Sequence, residues 1–385
     1  MMPTRTLFVS LYTEMGGGEY GMYHLLEHID RSRVEPILLV NRRGPLAEMV
    51  VGLGVEVVVV PFEVVMLKRL FAGGALQRNI RAAREIKLLI SERGVRAVVC
   101  SDLLSLLLLL PSFLAHSLKV FYNVIFFYEP IRVMLFNVLA LLFVDHIAVL
   151  SEMMKTDLMR KTFGLAGKVS TIYWGVDTKR FHPRSPAERD RLHAQLQLPS
   201  GKTIIGFIGR YEVWKGHLPF LDAVERLVRS RPDAIALIVG GAMTGSFIPD
   251  VAAYHGRVKE RIAGFQPADA LIVWDHRDDI SEIMASLDLL VCSSDREPYG
   301  LVVLEALACG VPVVASSSVG ALEVVSEEKP LFVAEPGNSD SLFRAMEMGL
   351  SWSKEGDGAS KMANMVMKWP NWRDYSVLVE AKISG

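Results

Sequence analysis

The stretch Leu287 to Ser316, LDLLVCSSDREPYGLVVLEALACGVPVVAS, holds a complete strand–helix–strand unit. Its first apolar run, Leu287 to Cys292, has the length and composition of a buried strand, and Val311 to Ala315 repeats that character after a turn at Cys309-Gly310. Between them a helical pattern begins near Gly300. Glu297 and Glu305 have seven residues between them. At ~3.6 residues per turn that spacing puts Glu297 in the loop at the strand's mouth and Glu305 about two turns into the helical pattern. The amides of Gly300, Leu301 and Val302 point out of the helix's positive end, suited to a phosphate. Glu305 stands in an almost wholly apolar run, Leu301 to Leu307, where a carboxylate needs a partner. An anion cradle beside carboxylates that accept hydroxyl hydrogen bonds is equipped for a sugar nucleotide.

Outward from this unit the same alternation covers the chain. Strands are expected at Leu7 to Leu11, Val34 to Val40, Val55 to Pro61, Ala97 to Cys100, Lys119 to Ile125, Ile147 to Ser151 and Val169 to Tyr173. Helical stretches lie near 19–30, 75–93 and 152–163. Several strands are apolar at consecutive positions, as parallel strands buried on both faces are. After a linker at Gly175-Val176-Asp177 and His182 to Pro186 a second series follows: Thr203 to Ile208, Ala234 to Val239, Ala270 to Trp274, Leu287 to Cys292, Val311 to Ala315 and Leu331 to Val333. The expectation is an α/β protein of two doubly wound, Rossmann-like domains, 1–176 and 177–364, facing each other with a ligand cleft at the carboxyl ends of their sheets.

Composition sets outer bounds. With 385 residues, 51% of them hydrophobic, the chain suits two domains with sizeable cores. A net charge of -1 argues against a dedicated nucleic-acid binder. The charge is divided: residues 1–176 carry 19 Lys/Arg against 15 Asp/Glu, and residues 177–385 carry 23 against 28. Cys100, Cys292 and Cys309 are widely spaced in apolar surroundings, which supports neither a disulfide framework nor a zinc site. The opening MMPTRTLFVSLYTE lacks the apolar core and cleavage site of a secretory signal, so a cytoplasmic location is expected. The apolar runs Leu103 to Leu110, ended by Pro111, and Val133 to Val144, flanked by Arg132 and Asp145, are too short to span a bilayer and are expected as buried core helices, with membrane-surface contact left open. On 75–93, Arg78, Arg81, Arg84 and Lys87 with Leu76, Ile80, Ile86 and Leu89 suit either a solvated helix or contact with an anionic membrane surface.

Two further motifs lie at strand ends. Met15-Gly16-Gly17-Gly18-Glu19 opens a helix after the first strand, and its glycines let backbone approach a ligand closely. Gly209-Arg210-Tyr211-Glu212-Val213-Trp214-Lys215-Gly216 follows the first strand of the second series, where two cations can neutralise a departing diphosphate. The block from Glu297 resembles the signature of the retaining glycosyltransferases of family 4, E-x-F/Y-G-L-x-x-L-E-A-x-A-C-G-x-P-V-V, at nearly every position. The two glycine motifs are similar to that family's G-G-x-E and G-R-x-x-x-x-K-G. Weaker matches at Val149 to Ser151, Trp174 to Phe181 and Ile238 to Gly241 extend the resemblance from about residue 16 to 333.

The resemblance implies a GT-B fold with a C-terminal helix, 365–385, crossing back onto the first domain. It implies a retaining hexosyltransferase that moves a hexose or N-acetylhexosamine from a nucleoside diphosphate sugar to a glycan or lipid-linked acceptor, in surface polysaccharide synthesis at the inner membrane face. Glu305 would bind the ribose, Glu297 the donor sugar, Arg210 and Lys215 the diphosphate, with Tyr299, Gly300, Leu301 and Val302 beside the donor and Gly17 and Gly18 approaching from the first domain. No D-x-D occurs in the sequence, so neither metal nor cofactor is expected. Asn123 departs from the pattern, standing where the family commonly has a histidine; it binds a sugar hydroxyl, or His116 or Tyr122 serves instead. A non-catalytic nucleotide-sugar-binding subunit and a same-fold epimerase or phosphorylase remain as alternatives.

Overall fold

The computed structural model describes residues 2–64, 74–241, 251–325, 331–352 and 368–384. The chain forms two compact units, one of Met1–Gly175 with Pro370–Gly385 and one of Val176–Trp369. The domain boundary read at 364/365 lies outside the described residues.

In the first unit β1 (Thr4–Ser10), β2 (Val34–Val40), β3 (Glu56–Val59), β4 (Ala97–Cys100), β5 (Lys119–Val124), β6 (His146–Val149) and β7 (Val169–Thr171) form one parallel sheet, ordered β3-β2-β1-β4-β5-β6-β7. The connections carry α1 (Gly17–His28), α2 (Pro45–Gly52), α3 (Ala75–Arg93), α4 (Leu103–Phe113), α5 (Pro130–Phe143) and α6 (Glu152–Lys161). The central strands are sealed on both faces, with Leu7, Phe8, Val98, Val99 and Ile147 wholly buried. That burial explains their unbroken apolar runs.

In the second unit α7 (Pro186–Gln195) precedes β8 (Thr203–Ile208), α8 (His217–Ser230), β9 (Ala234–Val239), α9 (Val251–Ala263), β10 (Leu271–Trp274), α10 (Ile280–Ala285), β11 (Leu289–Cys292), α11 (Leu301–Ala308), β12 (Val313–Ser316), β13 (Leu331–Ala334) and α12 (Ser339–Trp352). The strands form a parallel sheet ordered β10-β9-β8-β11-β12-β13. Strand order reverses between β1 and β4 in one unit and between β8 and β11 in the other. At such switch points adjacent loops diverge and leave a crevice at the strands' carboxyl ends.

The last helix, α13 (Trp372–Ile383), belongs to the first unit. Asn371 and Asp374 close a capping box at its start. Glu380, fully buried, accepts hydrogen bonds from Asp30 N at 2.8 Å and from Arg33 and Arg373. A buried carboxylate so surrounded fixes the helix's position, since it has no alternative partners.

Pro111, which ends the first apolar run, sits within the last turn of α4, where the missing N–H costs one hydrogen bond. One expectation changes. Helix α5 is not a buried core helix: Val133, Phe136, Leu139 and Ala140 face inward while Ile131, Met134, Val138 and Leu142 are exposed. On α3 the proposed membrane-facing set is divided, because Ile86 is buried in the core and Arg78 and Arg81 are paired with Glu63 at 2.9 Å and Glu85 at 3.0 Å. Arg84 and Lys87 are exposed beside them.

Candidate active site

In the second unit the loops after β8 and β11, the two strands at the switch point, are bonded to each other. Asp295 N donates to Trp214 O at 2.7 Å, and Ser293 Oγ donates to Gly216 O at 2.8 Å. Gly216 makes this approach possible. Its φ is +77°, and a Cβ there would lie 2.0 Å from Ser293 O. A side chain is excluded twice, by backbone conformation and by contact.

Glu297 is clamped as well. Its N–H donates to Ser318 O at 3.1 Å, its carbonyl accepts from Gly320 N at 3.1 Å, and it bridges to Val319 in a parallel sense. The side chain then has one direction left. Its Oε2 accepts from Lys215 Nζ at 2.6 Å and from Ser294 Oγ at 3.1 Å, with the two side chains only 21% and 10% exposed. Lys215 and Glu297, 82 positions apart in sequence, form one charged pair at the sheet's carboxyl edge.

Gly300 caps α11 with φ +91°, and a Cβ there would lie 2.7 Å from the Val319 side chain. Leu301 and Val302 open the helix and stay partly exposed, so the first-turn amides are available to an anion. Tyr299 is buried, and its carbonyl accepts from Ala321 N at 2.6 Å. Glu305 keeps some exposed surface, yet among the described residues nothing donates a hydrogen bond to its carboxylate. The partner expected from sequence is therefore not present. Desolvation pushes its carboxyl up to about 7, partly offset by the charge of Arg180. A half-desolvated acceptor without a donor is matched to a ligand that brings hydroxyls.

Arg210 lies on the same loop as Lys215 and is partly buried. Between them sits Glu212, which sequence reasoning passed over. It is buried, its Oε2 has no hydrogen-bond partner, and burial raises its carboxyl while Arg210, Lys215 and His255 oppose the rise. The available signal was a carboxylate between two cations in a strand-end loop. Arg180 was likewise visible only as part of a weak motif match. His217 is structural: fully buried, packed on Phe207 and Tyr211, and held neutral by burial with its value lowered to about 3.

In the first unit Gly17 opens α1, and a Cβ on Gly18 would meet the Ile125 side chain at 2.9 Å. Gly18 and Asn123 line one small cavity with Ser101, Ile125, Trp174 and Tyr375. Asn123 Oδ1 accepts from Tyr375 Oη at 3.1 Å. One side of Asn123 is thus committed to holding α13. Of its two substitutes, Tyr122 is excluded: it is fully buried, with its hydroxyl 2.5 Å from that of Tyr128. His116 lies past the end of α4, its Nε2 buried without a partner. Among the described residues one group, His24, Glu27 and His28 on α1, has metal-ligand chemistry. Its His24 ring stacks on Trp372 at 4.7 Å and serves to seat α13.

Residues 188–362 match the family model "Glycosyl transferases group 1", and residues 15–180 match "Glycosyltransferase Family 4". The chain is 36% identical over 168 residues to the lipopolysaccharide core biosynthesis mannosyltransferase LpsB of Rhizobium meliloti, covering 43% of this chain and 46% of that one. It is 30% identical over 172 residues to spore coat protein SA of Bacillus subtilis, covering 42% and 44%. It thus spans somewhat under half the length of these curated relatives. Among solved structures, Anabaena Alr3699/HepE in complex with UDP-glucose superposes with a TM-score of 0.83 at 20% identity, covering 99% of each chain. WaaG, a glycosyltransferase involved in lipopolysaccharide biosynthesis, gives 0.72 at 15% identity over 99% of this chain and 100% of that one. These likenesses show the GT-B fold.

Proposed function

This chain belongs to the group 1 glycosyltransferases of family 4, and from that premise we propose that it is a retaining, metal-independent hexosyltransferase acting on a nucleoside diphosphate sugar. The observation that carries the reading is the Lys215–Glu297 pair at the β8/β11 switch point, beside the start of α11 and the donor-less Glu305. HepE's complex with UDP-glucose and the naming of LpsB as a mannosyltransferase support a hexose on a nucleoside diphosphate. LpsB and WaaG support a glycan or glycolipid acceptor in surface polysaccharide synthesis.

Arg210 and Lys215 face the diphosphate with the amides of Leu301 and Val302, and stabilise the charge that develops on it. Glu305 accepts from the ribose hydroxyls. Glu297, held by Lys215 and Ser294, accepts from a hydroxyl of the donor sugar. In the first unit Gly17 and Gly18 offer close backbone approach to a sugar ligand, and the amide of Asn123 is left for a sugar hydroxyl. The bond between the anomeric carbon and the β-phosphate oxygen breaks with its electron pair on phosphate. The acceptor oxygen bonds to the same face of that carbon, and its proton passes to the leaving phosphate oxygen. The cations do the work that a metal chelate would otherwise do.

The test is release of nucleoside diphosphate from a panel of UDP- and GDP-sugars, with and without glycolipid acceptors, in buffer containing EDTA. Acceptor-stimulated release that survives EDTA, with the α-linkage retained by NMR, supports the proposal. Binding without turnover on every donor and acceptor sinks it and favours a nucleotide-sugar-binding subunit.

A further inference from the structure

Helix α5 carries a feature that the donor site does not use. Among its 14 residues Arg132 is the one charged side chain. Its inward face is buried, and its outward row is Ile131, Met134, Val138 and Leu142, exposed at 73%, 70%, 48% and 67%. Steps of three, four and four residues keep these on one side of an α-helix. The row is extended by Leu114, next to the Phe113 that stacks on Phe143 at 5.2 Å, and by Phe163, whose N–H donates to Asn137 Oδ1 at 2.7 Å. Both are more than 70% exposed. A helix this apolar is ordinarily covered on most of its surface in a globular fold.

We propose that this stripe seats the first unit on a bilayer surface containing anionic lipid, with α5 lying in the headgroup–acyl boundary. Its composition separates this occupant from a protein. Protein interfaces are enriched in aromatic, arginine and hydrogen-bonding groups, whereas the six side chains of this row are four aliphatic, one thioether and one phenyl, with no hydrogen-bonding group among them. Carbonyls at its C-terminal end are already capped, as a low-dielectric medium demands. Lys168 Nζ caps the carbonyls of Ala140, Leu141 and Val144 at 3.1, 3.0 and 2.6 Å, Lys161 Nζ reaches Tyr128 O at 3.2 Å, and Pro130 at the helix start has no N–H to satisfy. The helix is about 21 Å long, short of the ~30 Å hydrocarbon core, so it lies along the surface and does not cross it. Charge agrees. Exposed Arg132 follows Ile131 at the start of the stripe, and the first unit carries 21 Lys/Arg against 17 Asp/Glu while the second carries 21 against 26. Anionic headgroups attract the unit that bears the stripe.

The proposal is independent of the donor reading, because it is measured without donor. The full chain would be sedimented with phosphatidylcholine vesicles with and without phosphatidylglycerol, as wild type, as Met134→Asp/Leu142→Asp, and as Arg81→Ala/Arg84→Ala on α3. Nucleotide affinity and sedimentation velocity would be recorded for each. Wild type should bind, more tightly with phosphatidylglycerol. The aspartate pair should lower partitioning by about tenfold or more, the order expected for placing two charges in an apolar face. The α3 variant should still bind anionic vesicles, and all three should bind nucleotide alike. In a Val138→Trp variant, vesicles should shift emission to the blue. Failure of wild type to bind, equal binding by the aspartate pair, or a wild-type dimer dispersed by the aspartate pair would each overturn the proposal, the last assigning the stripe to a second copy of the chain.

Discussion

Replacing Glu305 by Gln should make the protein more stable and worse at holding nucleotide, and both halves can be worked from its surroundings. The carboxyl is raised to about 7 because burial disfavours the charged form and only Arg180 opposes it. A group raised in the folded state contributes stability that is complete below its unfolded value and lost as pH climbs through the folded one. For Glu305 that window runs from about pH 4.5 to 7, so at pH 8 the full penalty is present. A rise of that size corresponds to about 3 kcal/mol at complete burial, and the side chain's remaining exposure reduces it to about 1–2 kcal/mol. Gln carries no charge to desolvate. The second unit's melting midpoint at pH 8 should therefore rise by roughly 2–8 °C in Glu305→Gln, and the gain should vanish by pH 4.5. Calorimetric affinity for the nucleoside diphosphate should fall by ~1–3 kcal/mol, because a charge-assisted hydrogen bond to ribose is lost. Wild-type affinity should itself weaken about tenfold from pH 8 to pH 6 as the carboxylate protonates, and the Gln variant should lack that step. A variant that binds nucleotide as wild type does, with the same pH profile, would remove Glu305 from the site.

Three other perturbations follow from the same geometry. Lys215→Ala should lower kcat by ~10²-fold with a smaller change in donor affinity, and Lys215→Arg should rescue only partly, since a planar fork replaces a point charge beside Glu297; wild-type turnover at saturating donor would refute the assignment. Gly216→Ala should destabilise the second unit by roughly 2 kcal/mol or more in denaturant titration, because its Cβ meets Ser293 O at 2.0 Å in a left-handed backbone; an unchanged midpoint would mean the two loops separate freely. Tyr375→Phe should cost about 1 kcal/mol by leaving Asn123 Oδ1 unpaired, read as faster hydrogen exchange in α13; unaltered exchange would show that the pair does not hold the helix.

Much of this protein is legible in one dimension because its strands are short, apolar and fully buried, and its special backbone positions require glycine. Consecutive apolar runs such as Ala234–Val239 can only be satisfied in a sheet covered on both faces, so a parallel α/β architecture follows from composition alone. Gly216 and Gly300 marked the loops where backbones approach closely, and the charged residues beside them were found by position. What sequence does not contain is which side of a helix finds a neighbour. The apolar runs of α4 and α5 look alike on paper, yet none of α4's leucines is exposed while a whole row on α5 is open. Partnership is equally a tertiary matter. Lys215 finding Glu297, Asn123 being occupied by Tyr375, and Glu305 being left without a donor all depend on contacts between residues far apart in the chain. Local patterns set which residue types stand at each strand end; the switch points of the folded sheets decide which of them meet, because only there do neighbouring loops part and leave charged groups facing one another.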